Sequence, residues 1–366
     1  FLNNTSLHGL KYISNERTIV ERLWWLISFC ISLSMCVTLI INTWIKWEQS
    51  PVLINFASNR TPLLQITFPA ITICFDNNIN KEKFNFSDYH QKYLNNKLTQ
   101  KSDIQFLTRL DELLYVCRWH FTTKSCNTVF SPTITNLGFC FAFNMLNRND
   151  LFTDDFYIPD DYYGQQKQIS GWDVDDGYKE MSNVGTFPHR TMSPSPLNSL
   201  EIGTLSYLGE TCERKETKEN FKVLLHHPTE FPRAGILESH LLTLPFNKSV
   251  DILIKPENIM TSSELKGLKP YRKKCYHAKE GNLQFFKIYT RQNCLTECIA
   301  NQTLSKLGCI PFYMPCKSNS VCIYQYTPSV RESVVTLRHS PSVPNDGHSY
   351  LRIYFEDMEF ISIERK

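Results

Sequence analysis

Between Arg22 and Lys46 the chain carries no charged side chain, and the run Leu23–Ile45 reads LWWLISFCISLSMCVTLIINTWI. As a helix rising ~1.5 Å per residue, this run spans the ~30 Å hydrocarbon layer of a bilayer with some tilt. Trp24 and Trp25 at one end and Trp44 and Trp47 at the other match the aromatic belts of the two membrane interfaces. A signal peptide would have a shorter apolar core and a small-residue cleavage site, and a buried core helix rarely runs so long without a charge. The expectation is one transmembrane helix over residues 23–45. Lys11, Arg17 and Arg22 precede it and Lys46 follows, so the positive-inside rule places residues 1–22 in the cytosol. The rest of the chain is then extracellular or lumenal.

Cysteine usage and sequons agree with that side. Of 13 cysteines, Cys30 and Cys36 fall in the apolar run, and those beyond it are dense enough in places to suggest a disulfide framework in an oxidising compartment. N-glycosylation sequons occur at Asn59, Asn85, Asn247 and Asn301, while those at Asn3 and Asn4 are idle if they face the cytosol. A net charge of +3 over 366 residues excludes a chain built to bind nucleic acid electrostatically.

Strand-like alternation recurs at 64–74, 138–144, 220–228, 249–256 and 350–364, in segments rich in β-branched and aromatic residues. Helical periodicity is better at 102–117 and at 293–309, where Cys294 and Cys298 share a face. The expected class is therefore an α+β membrane protein with a single composite ectodomain. Residues 150–180 are rich in Asp and are read as a solvated acidic loop, with a cation- or proton-sensing carboxylate cluster as the alternative.

No phosphate loop, HExxH, GxSxG or paired CxxC motif is present, and no catalytic constellation emerges. His226 and His227 are adjacent at the end of a strand-like run, so their side chains point to opposite faces and do not share a metal. The cluster Cys275, Cys294, Cys298, Cys309, Cys316 and Cys322 is read as disulfide chemistry rather than a metal site. The sequence calls for no metal, cofactor or nucleic acid.

Four segments, taken in order, carry a resemblance: TSLHGLKYI before the apolar run, FPAITIC (68–74), LGFCFAFN (137–144), and NCLTEC followed by LGCIPFYMP (307–315). Together they resemble the degenerin / epithelial sodium channel family, and the insect pickpocket branch most. The resemblance implies trimeric sodium or cation channels of the amiloride-sensitive type at the plasma membrane. It also implies two membrane helices per subunit and a disulfide-rich, hand-like ectodomain of palm, β-ball, finger, knuckle and thumb. Partners would be membrane lipid, permeant sodium ions, and related subunits in a homo- or hetero-trimer.

Carried over residue by residue, Cys74 pairs with Cys140, Cys117 with Cys126, and Cys309 with Cys322. His8 and Gly9 match a His-Gly pair implicated in gating, where glycine permits a sharp juxtamembrane turn. The ectodomain would occupy residues 46–360 with the thumb at about 275–322, and 361–366 would lead to a second helix. Two departures stand out. Leu307 replaces the first cysteine of a C-x-C motif, and a downstream cysteine-rich stretch is missing, which leaves Cys275, Cys294, Cys298 and Cys316 without assigned partners. No second apolar run follows FISIERK, so the expectation is a subunit fragment that lacks its pore helix. The alternatives are a single-pass protein with a ligand- or cell-binding ectodomain, and a membrane-anchored glycosyltransferase whose only acidic motif is DVDD at 173–176.

Overall fold

The computed structural model of the chain describes residues 18–49, 52, 54–75, 110–154, 169, 171–179, 185–205, 220–233, 240–245, 248–256, 258–311, 313–316, 321–322, 337–339, 348–355 and 359–365. The chain divides into two compact units, one of residues 1–55, 260–275 and 364–366 and one of residues 56–259 and 276–363.

In the first unit, helix α1 covers Ile19–Gln49 and buries none of its residues. Leu39 and Met35 are exposed by 65% and 64%, as are large apolar side chains on every side of the helix. A helix apolar all round needs an apolar solvent, and lipid supplies it. Its polar side chains are accommodated from within: the hydroxyls of Thr38 and Thr43 donate to the carbonyls of Ser34 and Leu39, one turn back. Glu21 in the first turn and Lys46 in the last complement the helix dipole. The expected span of 23–45 lies within α1, whose extra turns carry the charged flanks. Two single-turn helices, Ser263–Lys266 and Pro270–Lys273, belong to the same unit. Lys273 is buried, and its ammonium donates to the carbonyl of Leu265 at 3.3 Å.

The strands, in chain order, are β1 (Ile54–Pro62), β2 (Ala70–Phe75), β3 (Leu114–Trp119), β4 (Thr122–Thr123), β5 (Phe130–Thr135), β6 (Gly138–Phe143), β7 (Trp172–Asp173), β8 (Gly177–Tyr178) and β9 (Leu200–Leu205). They continue as β10 (Asn220–His226), β11 (His240–Pro245), β12 (Ser249–Ile254), β13 (Asn258–Thr261), β14 (Ile310–Pro311), β15 (Val321–Cys322), β16 (Leu337–His339), β17 (His348–Phe355) and β18 (Glu359–Arg365). One sheet has the order β11-β10-β2-β6-β5, a second β16-β12-β17-β9-β3-β4, and a third β1-β18-β13.

The first two sheets share one apolar core, and the period-2 alternation of their strands decides which residues enter it. Ile71, Ile73 and Phe75 of β2, Phe141 and Phe143 of β6, and Phe221, Val223 and Leu225 of β10 point in from one sheet. Leu114 and Trp119 of β3, Ile202 of β9, Ile252 of β12 and Ile353 of β17 meet them from the other. The opposite face of the first sheet carries Cys74, Cys140 and Leu224 in a small cluster of its own. Gly203 of β9 lies under the Tyr115 ring, where a Cβ would sit 2.7 Å from Cζ. Glycine is required there because the β3–β9 register slips between Leu114 and Val116 and lays the ring across its neighbour.

The strand expectations at 138–144, 220–228 and 249–256 coincide with β6, β10 and β12, and that at 350–364 with the pair β17 and β18, whereas in 64–74 only Ala70–Cys74 is strand (β2), because Leu63–Gln65 makes a 3-10 turn. The helix expected over 102–117 is corrected. Residues 102–109 fall outside the described set, Leu110–Leu113 makes one helical turn, and Leu114–Trp119 is strand β3. Leu114 and Cys117 fit helical spacing on paper, yet both are buried against the sheet core. Tertiary burial and pairing with β9 override the local periodicity. The second long helix, α2, covers Arg291–Leu307. The Thr290 hydroxyl caps it by accepting from the Asn293 N–H, and Gly308 at φ 71° ends it.

Candidate functional site

Two of the resembling segments meet in the first sheet. FPAITIC supplies β2, GFCFAF supplies β6, and in their antiparallel register Cys74 faces Cys140 directly. The two are bonded, with Cα atoms 4.5 Å apart, the separation of a directly opposed cross-strand pair. Asn144, just beyond β6, ties the same segments a second time. It holds φ at 59°, donates to the carbonyl of Phe68, and accepts the His189 N–H at 2.6 Å. Few residues other than asparagine combine a tolerable left-handed backbone with a short two-ended hydrogen-bonding side chain.

Cys117 and Cys126 are also bonded, across a turn of nine residues at the edge of the second sheet. Cys309 is disulfide-bonded as well. The backbone of Pro311 in β14 pairs with Cys322 in β15, while the Cys322 side chain lies outside the described residues. Cys275, Cys294, Cys298 and Cys316 are free thiols. Cys294 and Cys298 sit on α2 one turn apart; Cys298 is exposed, and Cys316 is buried, which pushes its thiol pKa up.

Helix α2 is stitched into the β-rich unit by two buried polar side chains. Both carboxylate oxygens of Glu297 accept backbone N–H groups, from Gln284 at 2.8 Å and Phe285 at 3.0 Å. Asn293 accepts the N–H of Phe231 and donates to the carbonyl of Thr229. The loop after β10 is thereby fixed to α2, and an apolar cluster of Phe152, Phe231, Phe286, Tyr313 and Met314 fills the space around it.

His226 and His227 take separate partners. His226 Nε2 lies 2.9 Å from the Thr72 hydroxyl, and His227 Nδ1 lies 2.7 Å from that of Thr229. Among the described residues no group of three or more His, Cys, Asp or Glu is placed to hold a metal. Burial pushes the His226 imidazole down to about 4. The unfolded chain therefore binds the extra proton first, and stability present above pH 6.5 is lost as the pH falls toward 4. Unfolding midpoints measured from pH 7.5 to 4.5 are expected to drop steeply in the native chain and less so in His226→Gln; parallel curves would refute this.

In the acidic segment, residues 172–178 form a β7–β8 hairpin in which Asp173 accepts from Lys279 at 2.9 Å and from the Asp175 N–H at 3.0 Å. The Lys279 ammonium, followed by that backbone N–H, holds the Asp173 carboxyl below its ordinary range. Asp173 thus stays ionised through the mildly acidic range and is not a proton sensor there. Most of residues 155–170, and Glu180, lie outside the described set.

At the Gln49 end of α1, two side chains from the 270–275 segment reach the helix. Lys274, itself left-handed at φ 53°, donates from Nζ to the Gln49 carbonyl at 2.9 Å. A cation on a terminal carbonyl complements the negative end of the helix dipole. The Arg272 guanidinium lies 5.5 Å from the centre of the Trp47 ring, within cation–π range. These contacts join residues 225 apart in sequence, and the only local sign of them in the sequence is the basic run YRKK at 271–274.

Of the other sequence candidates, Asn301 is exposed on α2, and Asn59 lies in β1 with its side chain outside the described set. His8, Gly9, Asn85 and Asn247 also fall outside it.

An apolar helix with no buried face, followed by a disulfide-linked mixed domain of helix and sheet, defines a membrane protein. The chain matches the amiloride-sensitive sodium channel family over residues 1–108 and 90–346, and it belongs to that family. It is 25% identical to pickpocket protein 28 of Drosophila melanogaster over 338 residues, covering 86% of this chain and 55% of the relative. Similarity to sodium channel protein Nach of the same species is 23% over 379 residues, covering 89% and 65%. Pickpocket protein 11 is 23% identical over 316 residues, covering 84% and 49%. The chain thus spans about half to two thirds of the length of the curated relatives it matches.

Proposed function

We propose that the chain is part of a subunit of a trimeric sodium channel of the amiloride-sensitive type, placed in the plasma membrane and gated through its extracellular domain. The observation that carries the gating part is the double attachment of the 270–275 segment to the end of α1, through Arg272 on Trp47 and Lys274 on Gln49. The chain runs directly from that segment toward Cys275 and α2. A displacement there is delivered to the membrane helix by a cation–π contact and a hydrogen bond rather than through a flexible linker.

In this reading residues 46–360 form the hand-like ectodomain, with the thumb near 275–322, and residues 1–22 are cytosolic. The His8–Gly9 pair sets a juxtamembrane turn at the pore entrance. Cys309 pairs with Cys322, and Asn59, Asn85, Asn247 and Asn301 carry glycans. Sodium selectivity belongs to a second membrane helix, downstream of residue 366 in the full-length subunit.

The test is electrical and uses the full-length subunit, expressed alone and with related subunits in cells lacking a sodium current of their own. An inward sodium current blocked by amiloride is expected. Gly9→Ser is expected to lower open probability with surface delivery unchanged, and Arg272→Ala to shift the gating response. Surface-delivered protein that passes no current in any combination would overturn the channel reading in favour of a single-pass binding protein.

A further inference from the structure

We propose that residues 266–274 form a binding surface for phospholipid phosphates in the leaflet at the Gln49 end of α1. Depth is the first argument. Trp47 lies just past the apolar run at the position of an interfacial belt, and the Arg272 guanidinium sits against its ring. Lys274 reaches the last carbonyl of the same helix. Both contacts hold the 266–274 segment at the level where a bilayer presents its headgroups.

Charge is the second argument. Residues 263–275 carry Lys266, Lys269, Arg272, Lys273 and Lys274 against the single acid Glu264. Lys266, Lys269, Arg272 and Lys274 are exposed, whereas Lys273 is buried with its ammonium on Leu265. The one acid of α1 near this end is Glu48. A guanidinium and ammonium groups set together at headgroup depth complement phosphate, which accepts several charge-assisted hydrogen bonds at once.

Composition is the third. Tyr271 is exposed by 76% and stands beside Arg272 in sequence, while Trp44 and Trp47 are exposed by 62% and 53%. Aromatic rings with a polar edge are stable at that depth, with the ring against acyl chains and the edge among the headgroups. A soluble polyanion would satisfy the charges and leave the aromatic rings in water, so the lipid is the occupant that fits both. The surface holds the membrane end of the gating segment against the bilayer, which makes lipid composition an input to that segment. This inference rests on α1 crossing a membrane and does not depend on ion conduction.

The full-length subunit is reconstituted in phosphatidylcholine nanodiscs containing a trace of spin-labelled phosphatidylglycerol, or of spin-labelled diacylglycerol with the same acyl chains. Electron paramagnetic resonance then reads the motionally restricted fraction. The native chain is expected to retain the phosphate-bearing label over the diacylglycerol, and combined K266Q, K269Q, R272Q and K274Q to abolish that preference. Replacing Lys266, Lys269 and Lys274 by arginine keeps the charges and is expected to keep the preference. If the fourfold variant aggregates, Lys269→Gln alone is expected to lower it about fivefold. No preference in the native chain, or an unchanged preference in the glutamine variants, overturns the proposal. Loss of current with the lipid preference intact would count against the channel reading alone.

Discussion

Replacing Cys74 and Cys140 together by serine is expected to lower the stability of the β-rich unit by about 4 kcal/mol, because the bond closes a loop of 66 residues. For a domain of this size that is a fall of about 10 °C in the thermal midpoint of the detergent-purified chain. The same change at Cys117 and Cys126, nine residues apart, is expected to cost about 2.5 kcal/mol. The order of the two effects is the sharper test, since denatured-state loop closure alone sets it. Equal losses, or a larger loss at the short loop, would show that native packing around the sulfurs dominates. Serine is the suitable replacement, because Thr135 already offers its hydroxyl 3.1 Å from Cys140 Sγ.

Asn144→Ala is expected to cost about 3 kcal/mol in the same assay. The substitution strips the half-buried His189 N–H of its acceptor and the Phe68 carbonyl of its donor, and it asks a Cβ-bearing residue without a side-chain bond to hold φ at 59°. Asn144→Gly separates the two causes. Glycine adopts that angle freely, so its loss should be smaller by about 1 kcal/mol. If glycine and alanine behave alike, backbone strain contributes nothing and hydrogen bonding carries the whole effect.

The local part of this fold was legible because it is written in short-range periodicity. Ile71, Ile73 and Phe75 alternate with Thr72 and Cys74 and define β2 before any partner is known. Thr290 and Gly308 bracket α2 as a cap and a stop. The segment around Leu114 misled because Leu114 and Cys117 can sit on a helical face or on a strand with a slipped register, and only the partner strand β9 decides between them. The site was legible in proportion to how much of it is covalent. Cysteine positions matched to a known family expose their pairing, whereas Asn144, Glu297 and Arg272 act on groups 76, 12 and 225 residues away. A polar residue ending an apolar strand was the available signal for Asn144. For Glu297 no pattern distinguishes a carboxylate that accepts two buried N–H groups from one facing water.

The position of β17 has a consequence for how the molecule is made. It lies between β12, which it joins in parallel, and β9, which it joins antiparallel, with the Asp251–Arg352 ion pair at 2.8 Å across its register. A ribosome delivers β9 and β12 well before β17, which begins at His348, so until then both strands present open edges. The six-stranded sheet cannot close until β17 is made, whereas Cys74 and Cys140 are both synthesised before it. A chain that stops short of His348 therefore keeps two unpaired strand edges, which makes it prone to edge-to-edge association.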